Sequence, residues 1–197
     1  MRSFLFAIDR FSALTGKATS WIALAMTGLI SYDIIVRKLS QPFPEVRPLW
    51  FTYTFNYDMT YYMYAILFML GGAYALSRGQ HVRGDVFYRL WPVRVQASID
   101  LALYLFAFFP GIIALISVGT QWAVASYLIG ERSFTSAVAP AIWPLKFVIP
   151  LAGALMLFQG IAETIRAYQA VRTGVWPQRL SDVEEVDESL LAKQAEL

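Results

Sequence analysis

Long stretches without a charged side chain are the feature that most limits what this chain can fold into. The longest covers the thirty residues between Asp100 and Glu131, and three shorter ones lie at 18–36, 59–77 and 147–162. Only Asp33 interrupts any of them. An α-helix rises about 1.5 Å per residue, and about 20 residues cross the hydrocarbon core of a bilayer. The first three stretches are long enough to span a membrane, and the fourth, of 16 residues, is long enough because its apolar run extends back to Ala141. The solvent for most of this chain is therefore lipid.

The fold that these stretches predict is all-α, with four transmembrane helices. The helices are expected near residues 16–37, 57–78, 98–126 and 141–166, and the third is long enough to tilt or to extend beyond the bilayer. Together they form one membrane domain, 1–177. An acidic tail follows at 178–197, with six acidic residues against two basic ones. Apolar residues among arginines at 83–97 predict a short amphipathic segment on the membrane surface between helices two and three.

Lysine and arginine residues set the expected orientation. Eleven of the 16 lie before the first helix, between the second and third, or after the fourth, and five lie in the other two loops. Basic residues concentrate on the cytoplasmic side of membrane proteins, so both termini are expected in the cytoplasm. The first apolar stretch follows Asp9 and Arg10 and has no small-residue cleavage site after it. It is expected to stay as an anchor.

The composition excludes several kinds of site. There is no cysteine, which excludes disulfides, thiolate zinc sites, iron–sulfur clusters and cysteine catalysis. The single histidine, His81, cannot supply a bis-histidine haem site or a histidine-rich metal site. A net charge of +2 without a basic stripe does not indicate nucleic-acid binding. Since the motifs of phosphate-binding loops, zinc proteases and serine hydrolases are also absent, we expect no cofactor and no catalytic or metal-binding residue.

The stretch LGGAYALSRGQHVRGDVF, residues 70–87, either forms a site or marks the exit of a helix from the membrane. Gly71, Ala75 and Gly79 recur every four residues, which predicts a small-residue helix face that another helix can approach closely. Three polar residues follow at the expected membrane surface: His81, Arg83 and Asp85. A lone histidine at such a place is more often a surface residue than a catalyst. A packing role is therefore favoured over chemistry.

Acidic residues near the helix ends allow two interpretations. Asp33 precedes Arg37 by four residues and Glu163 precedes Arg166 by three, so each can form an ion pair within its own helix. Asp58 begins the second helix. A proton or ion path would need a charge near the middle of the bilayer, and none lies clearly there. Local pairing near the membrane surface is the preferred interpretation.

The segment 130–150 contains three prolines before the fourth helix. Proline fits a loop or a first helical turn better than a helix interior. Glu131, Arg132 and Ser133 end the third helix, and Trp143 suits a membrane surface. The loop is expected on the outer side, where it is either an ordinary helix connection or a docking surface for another protein.

Two motifs together resemble those of the small membrane subunit of tripartite ATP-independent periplasmic (TRAP) transporters. Residues 70–87 are similar to its signature LG...AL..G.HVRVD.F. A second signature of that subunit is matched by this chain with ERS at 131–133, followed by Pro140, Trp143, Pro144 and IPLAG at 149–153. The resemblance covers residues from about 21 to 168. It departs from the pattern at Gly84, where a bulky apolar residue is usual, and at Asp58, where glutamate is common.

The resemblance implies a scaffold subunit in the bacterial inner membrane and no enzymatic activity. In this family, a large permease subunit carries the sodium and substrate sites for uptake of organic acids, and a periplasmic binding protein delivers the substrate. Six residues would pack against the large subunit: Gly71, Ala75, Gly79, His81, Arg83 and Asp85. Four would help to receive the binding protein: Glu131, Arg132, Ser133 and Trp143.

Two alternatives from other classes stay open at this point. Four helices would also suit the membrane anchor of a respiratory enzyme, although one histidine is too few for a bis-histidine haem. A small integral-membrane enzyme could use Asp33, Asp58 or His81. The optical spectrum of the purified protein shows whether it carries haem, which tests the first alternative. Activity that survives removal of those three side chains counts against the second.

Overall fold

The computed structural model describes residues 2–40, 51–79, 88, 90–135, 139–180 and 182, without the side chains of Arg2, Ser40 and residues 51–55. Within these ranges the chain is helical apart from turns and one isolated antiparallel β-bridge between Arg132 and Ala141. The predicted all-α class is confirmed.

Four helices in the described ranges are long and apolar enough to cross a membrane, as the charge-free stretches predict. They are α1 (Arg2–Ser40), α2 (Phe51–Ser77), α3 (Val93–Leu128) and α4 (Trp143–Thr173). The first three begin before their predicted spans, whereas α4 begins two residues after its predicted start; α2 and α3 end within two residues of their predicted ends. Helical hydrogen bonding continues past the apolar stretch until a glycine, a proline or a loop stops it.

Three of the helices are followed by a glycine in the left-handed region. Gly79 after α2 has φ 66°, Gly130 after α3 has φ 60°, and Gly174 after α4 has φ 77°. Glycine adopts this conformation without the steric penalty of a side chain, and it commonly ends helices. Gly79 therefore lies outside α2. Of the three small residues expected on one helix face, only Gly71 and Ala75 belong to the helix. The expectation that Gly79 continues that face is wrong.

The third helix contains a wider turn. Residues Tyr104–Phe108 form a π-helical segment between α-helical segments Val93–Leu103 and Phe109–Leu128. The Phe109 N–H donates to the carbonyl of Tyr104, five residues back. Pro110 follows directly, and since proline has no N–H it cannot continue the normal ladder of hydrogen bonds.

The chain forms two compact units. The first unit comprises Met1–Thr15, Gly72–Ile113 and Gly153–Leu197, and the second comprises Gly16–Gly71 and Ala114–Ala152. Small side chains dominate the buried apolar positions of the first unit: Ala13, Ala73, Ala97, Ala162, Ala167 and Ala170. Small residues let helix backbones approach closely, which is how helices pack in lipid.

Two predicted segments fall partly outside the described residues. Within the amphipathic segment at 83–97, residues from Val93 onward belong to α3, and 83–87 and 89 lie outside the described ranges. Within the acidic tail, only residues 178–180 and 182 are described.

Candidate functional site

Asp58 is the centre of a cluster of hydrogen bonds in the second unit, which we call the Asp58 cluster (Asp58, Glu131, Ser133, Thr135 and Lys146). The Asp58 carboxylate is buried near the start of α2. It accepts hydrogen bonds from the Ser133 hydroxyl at 3.1 Å and the Thr135 hydroxyl at 2.5 Å. Both donors come from the loop between α3 and α4, so Asp58 holds that loop against α2.

The backbone of the loop reinforces this arrangement. Arg132 and Ala141 form the isolated bridge, Ser133 N–H donates to the Pro140 carbonyl at 2.8 Å, and Ile142 N–H donates to the Glu131 carbonyl at 3.0 Å. The two ends of the loop, 131–133 and 140–142, are therefore held together by backbone hydrogen bonds.

Glu131 and Lys146 form the second half of the cluster. The Lys146 ammonium donates to the Glu131 carboxylate and lies 4.1 Å from the ring centroid of Trp122. This hydrogen bond holds the pKa of Glu131 below its ordinary value, against a smaller opposing effect of burial. The carboxylate therefore stays ionised as the pH falls to its ordinary pKa of 4.5, and the ion pair is lost only below that value.

Two side chains of the same loop point away from the cluster. Arg132 is exposed, and its guanidinium makes one long contact with the Ala139 carbonyl at 3.4 Å. Phe134 is 94% exposed. Of the residues predicted to receive a partner, Arg132 is thus available at the surface, while Ser133 is buried and Glu131 is engaged with Lys146. Phe134 was not among the predicted residues, because a single aromatic residue in a loop carries no motif.

Trp143 begins α4 and is part of an aromatic row. Its ring packs edge-to-face on Tyr127 at 5.1 Å and on Phe147 at 6.2 Å between centroids. Such pairs stabilise by about 0.5–1.5 kcal/mol each beyond the buried area. Trp143 therefore fixes the start of α4 next to the loop and is only partly exposed.

A second polar cluster lies in the first unit, and we call it the Arg166 cluster (Asp9, Gln159, Glu163, Arg166 and Arg179). Arg166 is only 1% exposed. Its guanidinium donates to Asp9 at 2.5 and 3.1 Å and to Glu163 at 2.5 Å. Arg179 donates to Glu163 at 2.8 Å, and Gln159 donates to Asp9 at 3.0 Å. Two buried carboxylates are thus neutralised by two guanidinium groups.

The Arg166 cluster joins parts of the chain that are far apart in sequence. Asp9 lies in the first turns of α1, Gln159, Glu163 and Arg166 lie on α4, and Arg179 follows α4. Gly79 makes room for it, because a Cβ there would meet the Arg179 guanidinium. The pairing of Glu163 with Arg166, predicted from their spacing, is confirmed. The part that Asp9 plays was not predicted, because its only signal in the sequence is its place among apolar residues.

The predicted pairing of Asp33 with Arg37 is also confirmed, at 2.8 Å within α1. The remaining predicted contact residues are placed unequally. Gly71 and Ala75 lie in α2, and a Cβ on Gly71 would meet open space. His81, Arg83 and Asp85 lie outside the described residues.

A comparison with protein-family models gives one match. The model of the tripartite ATP-independent periplasmic transporters, DctQ component, matches residues 26–170. The chain belongs to this family. A search of the curated proteins found no match. The matched range of this DctQ component contains the whole Asp58 cluster, whereas Asp9 and Arg179 of the Arg166 cluster lie outside it.

The buried polar groups of the two clusters bind one another. Within the described residues, no three metal-ligating side chains lie close enough together to hold a metal ion. The buried carboxylates of Asp9, Asp58 and Glu163 all accept hydrogen bonds from neighbouring side chains. In this DctQ component, buried polar groups connect helices and loops to one another.

Proposed function

We propose that this chain is the scaffold subunit of a TRAP transporter that takes up an organic acid with a sodium gradient. It would hold the large permease subunit in place in the bacterial inner membrane and help to receive the periplasmic binding protein. The observation that carries the proposal is membership of the DctQ family over most of the chain. The buried clusters support it, because their charged groups bind one another and are not available for chemistry.

The proposed orientation places both termini in the cytoplasm, on the basis of the lysine and arginine distribution. The chain has no cysteine, so single cysteines can report it. Leu90→Cys, between α2 and α3, should be labelled by a membrane-impermeant maleimide only after the cells are opened. Phe134→Cys, between α3 and α4, should be labelled in intact cells with a permeable outer membrane. The reverse pattern contradicts the orientation.

Two partner surfaces follow from this proposal. For the large subunit, the sequence suggests Gly71 and Ala75 on α2, together with His81, Arg83 and Asp85. For the binding protein, we propose the exposed side chains of the loop between α3 and α4. Arg132 and Phe134 would make contact, while Glu131, Ser133 and Trp143 hold the loop in position through the bonds described above.

Reconstituted uptake tests the function and the docking loop together. With the large subunit and the binding protein in proteoliposomes, sodium-driven uptake should require this chain. Arg132→Glu should raise the binding-protein concentration for half-maximal uptake about tenfold and leave the maximal rate unchanged, because exposed interface charges act mainly on encounter. Arg10→Glu, an exposed charge reversal near the N-terminus, is the matched control and should have no such effect.

Uptake that is equally fast without this chain contradicts the proposed function. Unchanged uptake by the Arg132→Glu variant, at every binding-protein and salt concentration, contradicts the docking role of the loop and leaves the scaffold role in place.

A further inference from the structure

A cavity in the first unit lies between the end of α2, the first half of α3 and α4. It encloses about 510 Å³, and its walls include Leu76, Leu103, Phe108, Ile112 and Met156. Small-molecule sites in proteins usually have volumes of about 300–1,000 Å³, so this cavity is large enough to hold a ligand. We call it the apolar cleft.

The side chains of α3 explain why the apolar cleft is open. The Phe108 ring, at the end of the π-helical segment, packs on α4 at Gly160, where a Cβ would overlap the ring. Ala107 and Gly111 line the cleft beside Phe108, and a Cβ on Gly111 would meet nothing within 4 Å. One large side chain thus holds α3 and α4 together while its small neighbours leave space. The cleft is a gap within packed helices and not one uncovered helix face.

The depth of the apolar cleft matches one leaflet of a bilayer. Along α3 the cleft runs from Asp100 to Ile112, which is about 18 Å of helix. The charge-free stretch of α3 starts directly after Asp100, so this end of the cleft lies at the level of the membrane surface. Half of a hydrocarbon core of about 30 Å is about 15 Å, and the other end therefore lies near the middle of the membrane.

A transmembrane helix of another protein fits the apolar cleft poorly. Such a helix crosses both leaflets, and with its side chains a section about 10 Å wide and about 18 Å long takes up about 1,400 Å³. The cleft has little more than a third of that volume. One hydrocarbon chain of a lipid has the length of one leaflet and is much narrower than a helix. The size of the cleft therefore indicates a lipid chain.

Polar groups surround the end of the apolar cleft at the membrane surface. Asp100 and Gly79 line this end. The Tyr88 hydroxyl donates to Asp100 at 2.9 Å, and the Arg179 guanidinium lies against Gly79, where it would overlap a Cβ. Tyr88 and Arg179 also line a polar cavity of about 160 Å³. An apolar cleft that adjoins a polar cavity suits an amphipathic ligand.

The polar cavity contains hydrogen-bond donors without acceptors. Arg179 donates to Glu163 through Nη2 at 2.8 Å, whereas its Nη1 makes no hydrogen bond within the described residues. Arg166 lines the same cavity, and its buried Nε–H has no partner in the described part of the chain. Guanidinium groups bind phosphate strongly, because opposite charges attract and several N–H groups can donate together. The cavity therefore suits the phosphate of a lipid headgroup.

The charges of this site favour a headgroup without a net charge. The two carboxylates of the Arg166 cluster already neutralise its two guanidinium groups. Two further carboxylates, those of Asp100 and Asp182, line the apolar cleft and the polar cavity. A headgroup with a net negative charge therefore gains little here. A phosphate that is accompanied by an ammonium group adds no net charge to the site.

We propose that the first unit binds a zwitterionic phospholipid from the leaflet on the side where α4 ends. One acyl chain lies in the apolar cleft, between Gly79 and Ile112. The phosphate binds the Arg179 guanidinium in the polar cavity, and the ammonium lies beside the carboxylates of the site. This inference does not depend on the proposed transporter function, because it concerns this chain and the membrane alone.

Native mass spectrometry tests the site on the full chain, purified in mild detergent with any partner that accompanies it. The original chain should retain one phospholipid. Gly111→Leu places a side chain in the apolar cleft and should lose most of this lipid, whereas the helix should persist because leucine favours it more than glycine does. Gly28→Leu is the matched control, since a Cβ on Gly28 also meets nothing within 4 Å and Gly28 does not line the cleft.

The Gly28→Leu variant should retain the lipid. An original chain that carries no phospholipid overturns the inference, and so does equal retention by the Gly111→Leu and Gly28→Leu variants.

Headgroup competition tests the polar cavity. On the original chain, phosphatidylethanolamine should displace the retained lipid at a lower concentration than phosphatidylglycerol with the same acyl chains. Arg179→Lys keeps a positive charge beside Glu163 but removes the second donor, so it should weaken phosphatidylethanolamine binding about fivefold. Arg172→Lys, at an exposed position of α4, is the matched control and should bind normally. Equal binding by these two variants overturns the phosphate contact, and a preference for phosphatidylglycerol overturns the zwitterionic headgroup.

Discussion

Replacement of Arg166 by methionine should prevent the chain from accumulating in a folded form. The substitution keeps an unbranched side chain but leaves the buried carboxylates of Asp9 and Glu163 without their shared cation. Removal of one partner from a buried ion pair lowers stability by about 3–5 kcal/mol. We expect a large fall in the amount of monodisperse protein in detergent and in its melting temperature.

The control for this prediction is Arg172→Met on the same helix. Arg172 is exposed, and its guanidinium lies 5.9 Å from the Tyr168 ring centroid, so its loss should have little effect. The double variant Arg166→Gln, Asp9→Asn should have a higher melting temperature than Arg166→Met, because the buried charge of Asp9 is removed together with that of its partner. A normal melting temperature for Arg166→Met would show that the buried ion pairs do not stabilise the fold.

The second large effect is expected at Asp58. Asp58→Ala removes the acceptor for the Ser133 and Thr135 hydroxyls and leaves them facing a small void. Hydrogen bonds to a charged group stabilise by about 1.5–3 kcal/mol each, so the loop between α3 and α4 should lose most of its attachment to α2. Hydrogen exchange at the Ser133 and Ile142 amides, which donate within the loop, should become much faster.

Asp58→Asn is the matched control, because its amide keeps one carbonyl acceptor at the same position. Amide exchange in this variant should lie between that of the original chain and that of Asp58→Ala. If Asp58→Ala exchanges no faster than the original chain, the backbone bonds of the loop are sufficient without Asp58. Uptake measured on the same variants then shows whether loop order matters for receiving the binding protein.

Local signals in the sequence predict much of this structure. Charge-free stretches locate the four helices because lipid excludes unpaired charges over the full width of the hydrocarbon core. Asp33 with Arg37 and Glu163 with Arg166 could be paired because helical spacing brings residues three or four apart together. The resemblance in two short motifs identified the family that the comparison confirms.

Contacts over long sequence distances could not be predicted in this way. Nothing near Asp9 indicates that its partner is Arg166, and nothing near Asp58 indicates Ser133 or Thr135. Gly79 fitted a helical spacing of four, but the helix ends before it. Gly79 itself adopts the left-handed conformation, and the Arg179 guanidinium lies where a Cβ would be. Spacing along one helix carries no information about which other segment packs against it.

The Arg166 cluster also has a consequence for biosynthesis. Asp9 is synthesised before Arg166, which follows 157 residues later. At ribosomal rates of about 5–20 residues per second, roughly 8–30 s pass before the carboxylate can meet its cation. During that interval the first helix carries an unneutralised acid that it cannot bury. The guanidinium of Arg166 can neutralise this carboxylate only after the fourth helix has been synthesised, so the cluster cannot form before α4 is present.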